Sequence, residues 1–339
     1  MMAQKRDKKK LARVIATWVI TGIMASVFIL DIICVALANK YASSIPVTQE
    51  DFTLKTGDDR IHFLNTANSD CIIIESNGHF ALVDSGEGNN NPRRKTAYKG
   101  YETEVLQYIK KTCANENGKV YFDFIVATHM HYDHSGNFEK IINDADITIG
   151  KAFIKKYDGS KTSDIDSESW GNLDTYKKII DALNKNKISV IHNIPQKNFD
   201  FEDFTVEFIN AVTPESLKKA GENTNSIGIR LTKGEKVAFL GADFTNDAGF
   251  EMLYAKEIGD VDLLKIGHHG YFGSSSTGFL KELKPEIAIC TNYIGKIYPN
   301  VKWNLTMVAK APIYSTAHRN GIIATFTDSN EILLTENIM

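Results

Sequence analysis

Three histidines and one aspartate fall within six positions of the run Thr128-His129-Met130-His131-Tyr132-Asp133-His134-Ser135-Gly136. The whole chain of 339 residues has nine histidines, so composition does not explain three this close together. Neutral imidazole and carboxylate are good ligands for a borderline divalent ion such as zinc. Phe124 to Ala127, just before the run, reads as the end of a buried strand, and Asn137 to Ile142 reads as the start of a helix. His129 and His131 alternate along extended backbone, so both can point to one side. Asp133 and His134 then turn back and can serve a second ion. Two ions roughly 3.5–4 Å apart could hold one hydroxide between them.

Other strand ends repeat the theme. Ala81-Leu82-Val83-Asp84-Ser85-Gly86, Phe239-Leu240-Gly241-Ala242-Asp243 and Leu263-Leu264-Lys265-Ile266-Gly267-His268-His269-Gly270 each pass from apolar residues to polar ligand types. Asp243 has two oxygens and could bridge two ions, or it could cap the helix that follows. These four stretches resemble the metal motifs of the metallo-β-lactamase fold superfamily, over roughly Asp58 to Leu334. The His-His-Gly form, with Asn225-Ser226 before a strand, is most similar to the metallohydrolase domain of ComEC-type competence proteins. It is also similar to phosphorylcholine esterases of cell-wall teichoic acids.

The resemblance implies an α+β fold, the four-layer αββα sandwich, with its site at one edge between two sheets. It implies two divalent metal ions, zinc first and manganese second, held by His129, His131, Asp133, His134, Asp243 and His268. Asp84 would support the ligands from behind. Asp133, His269 and Tyr298 would carry the catalysis. Between the neighbours His268 and His269 the residues leave the ligand open, and we take His268. One departure from the superfamily stands out. Gly221-Glu222-Asn223-Thr224-Asn225-Ser226 occupies the place of the usual third histidine. Glu222, Asn223 or water could replace that imidazole, which keeps manganese in view.

The elements that must position these groups follow from the pattern. Ile61 to Leu64, Cys71 to Ser76 and His79 to Val83 read as strands, with Asn77-Gly78 a hairpin signal. Gly86 to Gly100 reads as a charged loop near the site, and its Arg93 and Arg94 suit phosphate oxygens. Thr103 to Thr112 reads as a helix with Val105, Leu106 and Ile109 on its inner face. Ile147 to Ile154 and Ser189 to Ile191 read as strands, with a helix over Asp174 to Asn184. Tyr157 to Trp170 is acidic and aromatic and could cradle a quaternary ammonium. Later strands are expected at Phe204 to Ala211, Ile227 to Leu231, Val237 to Leu240, Val261 to Ile266, Glu286 to Thr291, Ile313 to Thr316, Gly321 to Thr327 and Ile332 to Thr335. A short helix is expected over Trp303 to Lys310.

The first 57 residues differ in character. Lys5, Arg6, Lys8, Lys9, Lys10 and Arg13 precede Val14 to Leu30, which carry no charge, and Ile32 to Ala38 continue the apolar run. That length can span most of a bilayer core, and the basic flank should stay cytoplasmic. We expect a basic segment at 1–13, a membrane or signal helix at 14–38, a linker at 39–57 and a hydrolase domain at 58–339. The protein would sit in the cell membrane as a single-pass chain with its domain outside, or be secreted after cleavage near Ala38. Beyond Ala38 the chain has 33 basic and 40 acidic residues, a formal charge of −7. Such a surface repels polyanions on average. Cys34, Cys71, Cys113 and Cys290 make no CxxC pair, so no disulfide framework is implied.

The expected activity is hydrolysis of a phosphodiester, in nucleic acid or a cell-wall polymer, by a metal-activated hydroxide. Two alternatives are a phosphorylcholine or cell-wall esterase and a non-catalytic exported binding protein. A single spanning segment cannot form a channel, so a role in DNA uptake would need a membrane-channel partner.

Overall fold

The structure is a computed structural model that describes residues 2–42, 47–48, 59–93, 99–159, 168–217 and 220–339. Sixteen strands are present among the described residues. In chain order they are β1 (Val47–Thr48), β2 (Asp59–Phe63), β3 (Ile72–Ser76), β4 (His79–Val83), β5 (Val120–Ala127), β6 (Ile147–Ile154), β7 (Ser189–Ile191) and β8 (Phe199–Phe201). They continue with β9 (Phe204–Ile209), β10 (Gly228–Lys233), β11 (Lys236–Leu240), β12 (Leu263–Lys265), β13 (Ile287–Cys290), β14 (Ile313–Ser315), β15 (Ile322–Phe326) and β16 (Ile332–Glu336). One sheet runs β1-β16-β15-β2-β3-β4-β5-β6-β7, the other β14-β13-β12-β11-β10-β9-β8.

Alternation along the strands sets the layers. Ile72 and Ile74 of β3 face the second sheet, while Ile73 between them faces a helix layer. The inter-sheet core joins Phe63, Phe124 and Val126 to Phe204, Val206, Leu231, Leu240 and Ile289. Helix Glu102–Thr112 covers the first sheet's outer face with Val105, Tyr108 and Ile109. Phe250–Ile258 and Thr277–Leu283 cover the second sheet. Strands β3, β12 and β13 are buried along their whole length, covered on both faces, and so are rich in continuous apolar residues. The result is the expected αββα sandwich.

Parallel pairing decides where the site can form. β4, β5 and β6 are mutually parallel neighbours, and so are β11, β12 and β13. Parallel strands release their C-terminal ends at one sheet edge, which is where ligands collect in such sheets.

The sequence-based boundaries hold with a few differences. The inner face of Glu102–Thr112 uses Tyr108, with Leu106 only partly buried. The helix expected over Trp303 to Lys310 begins earlier, at Pro299, and widens into a π-helical stretch over Asn304–Ala309. Two residues inside the expected linker form β1 and pair parallel to β16, Val47 with Leu334. The N-terminal helix spans Met2–Ala42 and so passes beyond the expected end at Ala38. Lys8 to Leu30 are all exposed along it. Asp31, Cys34, Val35 and Ala38, at helical spacing, turn to the domain. Cys34 and Ala38 are buried there, and Asp31 pairs with the buried Lys302.

Phe124 sits at the centre of the inter-sheet core, edge-on to Phe153, Phe199 and Phe201 with ring centroids 5.5, 5.8 and 5.2 Å away. Phe124→Ala is expected to lower the unfolding free energy by about 3–5 kcal/mol, read as a lower denaturant midpoint.

Candidate metal centre

The strand ends bring their polar residues together. Nε2 of His134 lies 3.1 Å from Nε2 of His269 and 3.0 Å from Oδ1 of Asp243. Nε2 of His269 lies 3.4 Å from the same Asp243 oxygen and 3.7 Å from Oδ2 of Asp133. On the other side, Oδ2 of Asp243 lies 3.6 Å from Nε2 of His129 and 3.9 Å from Nε2 of His268. His129, His131 and Asp243 have donor atoms within 4.8 Å of one another. One oxygen of Asp243 therefore faces each group.

These distances pass a simple test for metal. Two donors about 2.0–2.1 Å from one tetrahedral ion stand roughly 3.4 Å apart. Among the described residues, buried Nε2 of His129, Oδ1 of Asp133 and Oδ1 of Asp243 have no hydrogen-bond partner. Buried polar atoms are seldom left unpaired, and two divalent cations would satisfy His129 Nε2 and Asp243 Oδ1, leaving Asp133 Oδ1 for a water. The donor set suits a divalent metal ion, and imidazole with carboxylate fits zinc, manganese or iron.

His134 and His269 are held from behind through Nδ1, as metal-ligating histidines are. Nδ1 of His134 is 2.7 Å from Asp84 Oδ2, and Asp84 also accepts from Thr128 N at 2.9 Å and Thr128 Oγ1 at 2.7 Å. Nδ1 of His269 is 3.2 Å from Asp70 Oδ1 and 3.0 Å from Thr291 Oγ1. Asp70 is itself tied to buried Lys265, whose ammonium also donates to Ala242 O at 2.8 Å. Asp70 approaches the histidines through their Nδ1 atoms, so we read it as a support rather than a ligand.

The electrostatics set buried carboxylates against buried imidazoles. Burial drives the His129 pKa down to about 3, helped by His134, so its nitrogen stays neutral and available. Burial also opposes charge on His134, but Asp243 and Asp84 outweigh it and hold that pKa well above the usual value. Burial favours the acid forms of Asp243 and Asp70. Imidazoles around Asp243, and Lys265 with His269 beside Asp70, overcome it and keep both well below the usual range.

Local backbone aims the two neighbouring histidines apart. His268 and His269 both have positive φ, 48° and 51°, a costly conformation for residues with a side chain. The turn packs so tightly that a Cβ on Gly267 would lie 2.2 Å from the Phe244 carbonyl oxygen. His269, not His268, consequently joins His134 and Asp133. His268 turns toward the other oxygen of Asp243, with its Nε2 3.4 Å from Asn223 Nδ2. From the sequence we take His268 as the ligand and His269 as the catalytic group; in the structure His269 Nε2 is the one nearer His134 and Asp133.

The other expected residues divide. Asp84 stands behind His134 as described. Glu222 accepts from Met130 N at 2.9 Å and Asn225 Nδ2 at 2.8 Å, so it braces the motif backbone. Asn223 lies beside His268, with its buried Oδ1 lacking a hydrogen-bond partner among the described residues. Tyr298 is 45 % exposed and one ring removed, packed on Tyr271, which packs on His268. Arg93 pairs with Glu87 and lies 3.9 Å over Trp170, whose ring stacks 4.4 Å from His131. Arg94 lies outside the described residues. Asp70, Lys265 and Thr291 went unnoticed in the sequence, although a lysine inside the apolar Leu263–Ile266 run was a visible signal.

No family model matches the chain. It is 28 % identical over 81 residues to Recombination protein 2 of Haemophilus influenzae, covering 24 % of this chain and 10 % of that protein. It is 22 % identical over 170 residues to ComE operon protein 3 of Bacillus subtilis, covering 49 % of this chain and 19 % of that protein. The chain thus spans less than a fifth of the length of either curated relative. Similar solved structures include the metallo-β-lactamase fold protein YhfI of Bacillus subtilis, 13 % identical, with a TM-score of 0.48 over 79 % of this chain and 99 % of that one. A putative metal-dependent hydrolase from Parabacteroides distasonis is 14 % identical, with a TM-score of 0.43 over 80 % of this chain and 99 % of that one. Two facing sheets, with the His-x-His-x-Asp-His run, Asp243 and the His-His pair meeting at parallel strand ends, decide the architecture.

This is a four-layer αββα sandwich.

Within this sandwich, the carboxylate behind His134 offers a direct test of the metal reading. Asp84→Asn is expected to weaken zinc or manganese binding about 10–100-fold, measured by competition with a chromophoric chelator. Unchanged affinity would make Asp84 a simple turn cap.

Proposed function

We propose that the protein is a metal-dependent hydrolase of phosphodiesters, carried on a membrane-anchored domain. The observation that carries this reading is the pair of donor groups sharing Asp243. We assign His129, His131 and Asp243 Oδ2 to one ion, with Asn223 and His268 at its edge. His134, His269, Asp133 and Asp243 Oδ1 go to the other. Bound divalent ions would supply Lewis acidity and a water of lowered pKa. Asp133 would orient the attacking water and accept its proton at Oδ1, the buried oxygen that lacks a hydrogen-bond partner. His268, on the more open side, would meet the substrate or the leaving group. Tyr298, one ring away, is better cast as part of the rim than as a donor.

The phosphodiester is favoured over other esters by what lines the approach. A cavity of about 590 Å³ opens beside His129 and Met130, with Lys155, Lys156 and His192 in its wall. Such a wall suits an anion against the chain's overall negative charge. The similarity to a recombination protein and a competence-operon protein supports nucleic acid as the phosphodiester. A choline esterase would need an open aromatic face for the quaternary ammonium. The Trp170 ring is already engaged, by His131 stacked 4.4 Å away and by the Arg93 guanidinium 3.9 Å over it.

We place the membrane anchor at the helix of Lys8–Lys40, with a mean hydropathy of 2.5 over its best window. Ala38 is buried against the domain, where a signal peptidase would not reach it while the helix is docked. The domain begins near residue 58, with β1 contributed from the segment before it.

Two measurements test the proposal. A panel of phosphodiesters run with zinc and with manganese should show hydrolysis that Asp133→Asn lowers about 10²–10⁴-fold in kcat, the usual size for a lost general base. Hydrolysis of a lactam but of no phosphodiester would overturn the substrate assignment. Metal content after exhaustive dialysis should approach two ions per chain, as a shared-carboxylate site requires. A content near zero would favour a non-catalytic binding protein.

A further inference from the structure

The N-terminal helix packs on the stretch Pro299–Ala309 of the domain, and that stretch and the turn before it carry exposed apolar side chains. Lys302, which pairs with Asp31, lies on helix Pro299–Trp303. On the same stretch Trp303 is 38 % exposed and Met307 is 41 % exposed. These two are four residues apart, so they share one face, while Val301, Leu305 and Thr306 point inward. Tyr298, which caps this helix, packs against Phe272 with ring centroids 5.9 Å apart, and Phe272 is 68 % exposed. Exposed Lys296 and Lys310 flank the group.

The N-terminal helix says what covers this surface. Its exposed stretch, Lys8 to Leu30, ends one residue before Asp31 meets Lys302. About 20 helical residues cross a bilayer core, so the Asp31–Lys302 pair falls at the end of the span. Trp303 and Met307 then lie at headgroup depth. Aromatic residues with flanking lysines are the usual furniture of that layer. We infer that Phe272, Tyr298, Trp303 and Met307 form a lipid-contact surface that seats the domain on the bilayer that its own helix crosses. The inference rests on the anchor reading above and deepens it. Tyr298 packs on Tyr271, which packs 5.5 Å from His268. One rim of the metal cleft is thus built on the lipid-contact surface, and the cleft works on phosphodiesters presented at the membrane face.

The test uses the full chain in phosphatidylcholine–phosphatidylglycerol vesicles. The chain has three tryptophans, Trp18, Trp170 and Trp303, so Trp18→Phe with Trp170→Phe leaves Trp303 as the reporter. Its emission should be blue-shifted and quenched by lipid brominated high on the acyl chain, and shielded from aqueous iodide. If those substitutions impair folding, a bimane on Met307→Cys in the otherwise native chain reports the same surface by bromolipid quenching. Quenching by iodide but not by bromolipid would overturn the inference. So would a Trp18, kept as the single tryptophan, that escapes bromolipid. The readout is independent of turnover. A quenched Trp303 in the variant, with no hydrolysis by the native chain, would sink the phosphodiesterase reading alone. Hydrolysis with a water-exposed Trp303 would sink the lipid-contact surface alone.

Discussion

The site depends on one buried carboxylate with a group of imidazoles on each side. Asp243 is 1 % exposed, and burial by itself would favour its neutral acid. Its charge survives because His134, His269 and His268 surround it. A carboxylate taken out of water needs compensation of this kind. Such compensation is available only where strand ends from both sheets meet. The sandwich is therefore the means of assembling enough positive or metal-binding character around one anion.

The supports behind the imidazoles obey the same logic. Asp84 comes from the first sheet and holds His134 of that sheet. Asp70 also comes from the first sheet, yet it holds His269 of the second and meets Lys265 on β12. This buried charge network ties the two halves across the sandwich edge. Removing one member of such a network strands the others, which makes it a strong fixer of register. The ring orientations that aim Nε2 inward follow from it.

Chain direction links the site to the N-terminal helix. The turn that bears His268 and His269 leads through Tyr271 to Tyr298, and Tyr298 opens the helix that receives Asp31. The distance from cleft rim to docked helix is a few side chains. The cleft rim is therefore held relative to the N-terminal helix by packing, and not only by the chain between them.

Much of this was legible before any fold was known. Local spacing made the His129–His134 run a metal motif, since side-chain direction along a strand and turn is set by nearest neighbours. Apolar alternation marked most of the strands, and the uncharged Val14 to Leu30 run marked the stalk. Other features depended on contacts that sequence distance hides. Asp70 and Thr291 meet across 221 positions, and their partnership comes only from sheet packing. His268 and His269 are equivalent in the sequence; tertiary contacts at Gly267 and Phe244 set the backbone turn that parts them. Glu222 was a plausible ligand by type, but its oxygens turn to Met130 and Asn225. The sequence by itself determined which chemistry the residues could support, because ligand type and local spacing are properties of the chain. Only the tertiary structure decided which donor meets which, because that depends on how two sheets bring distant strand ends to one edge.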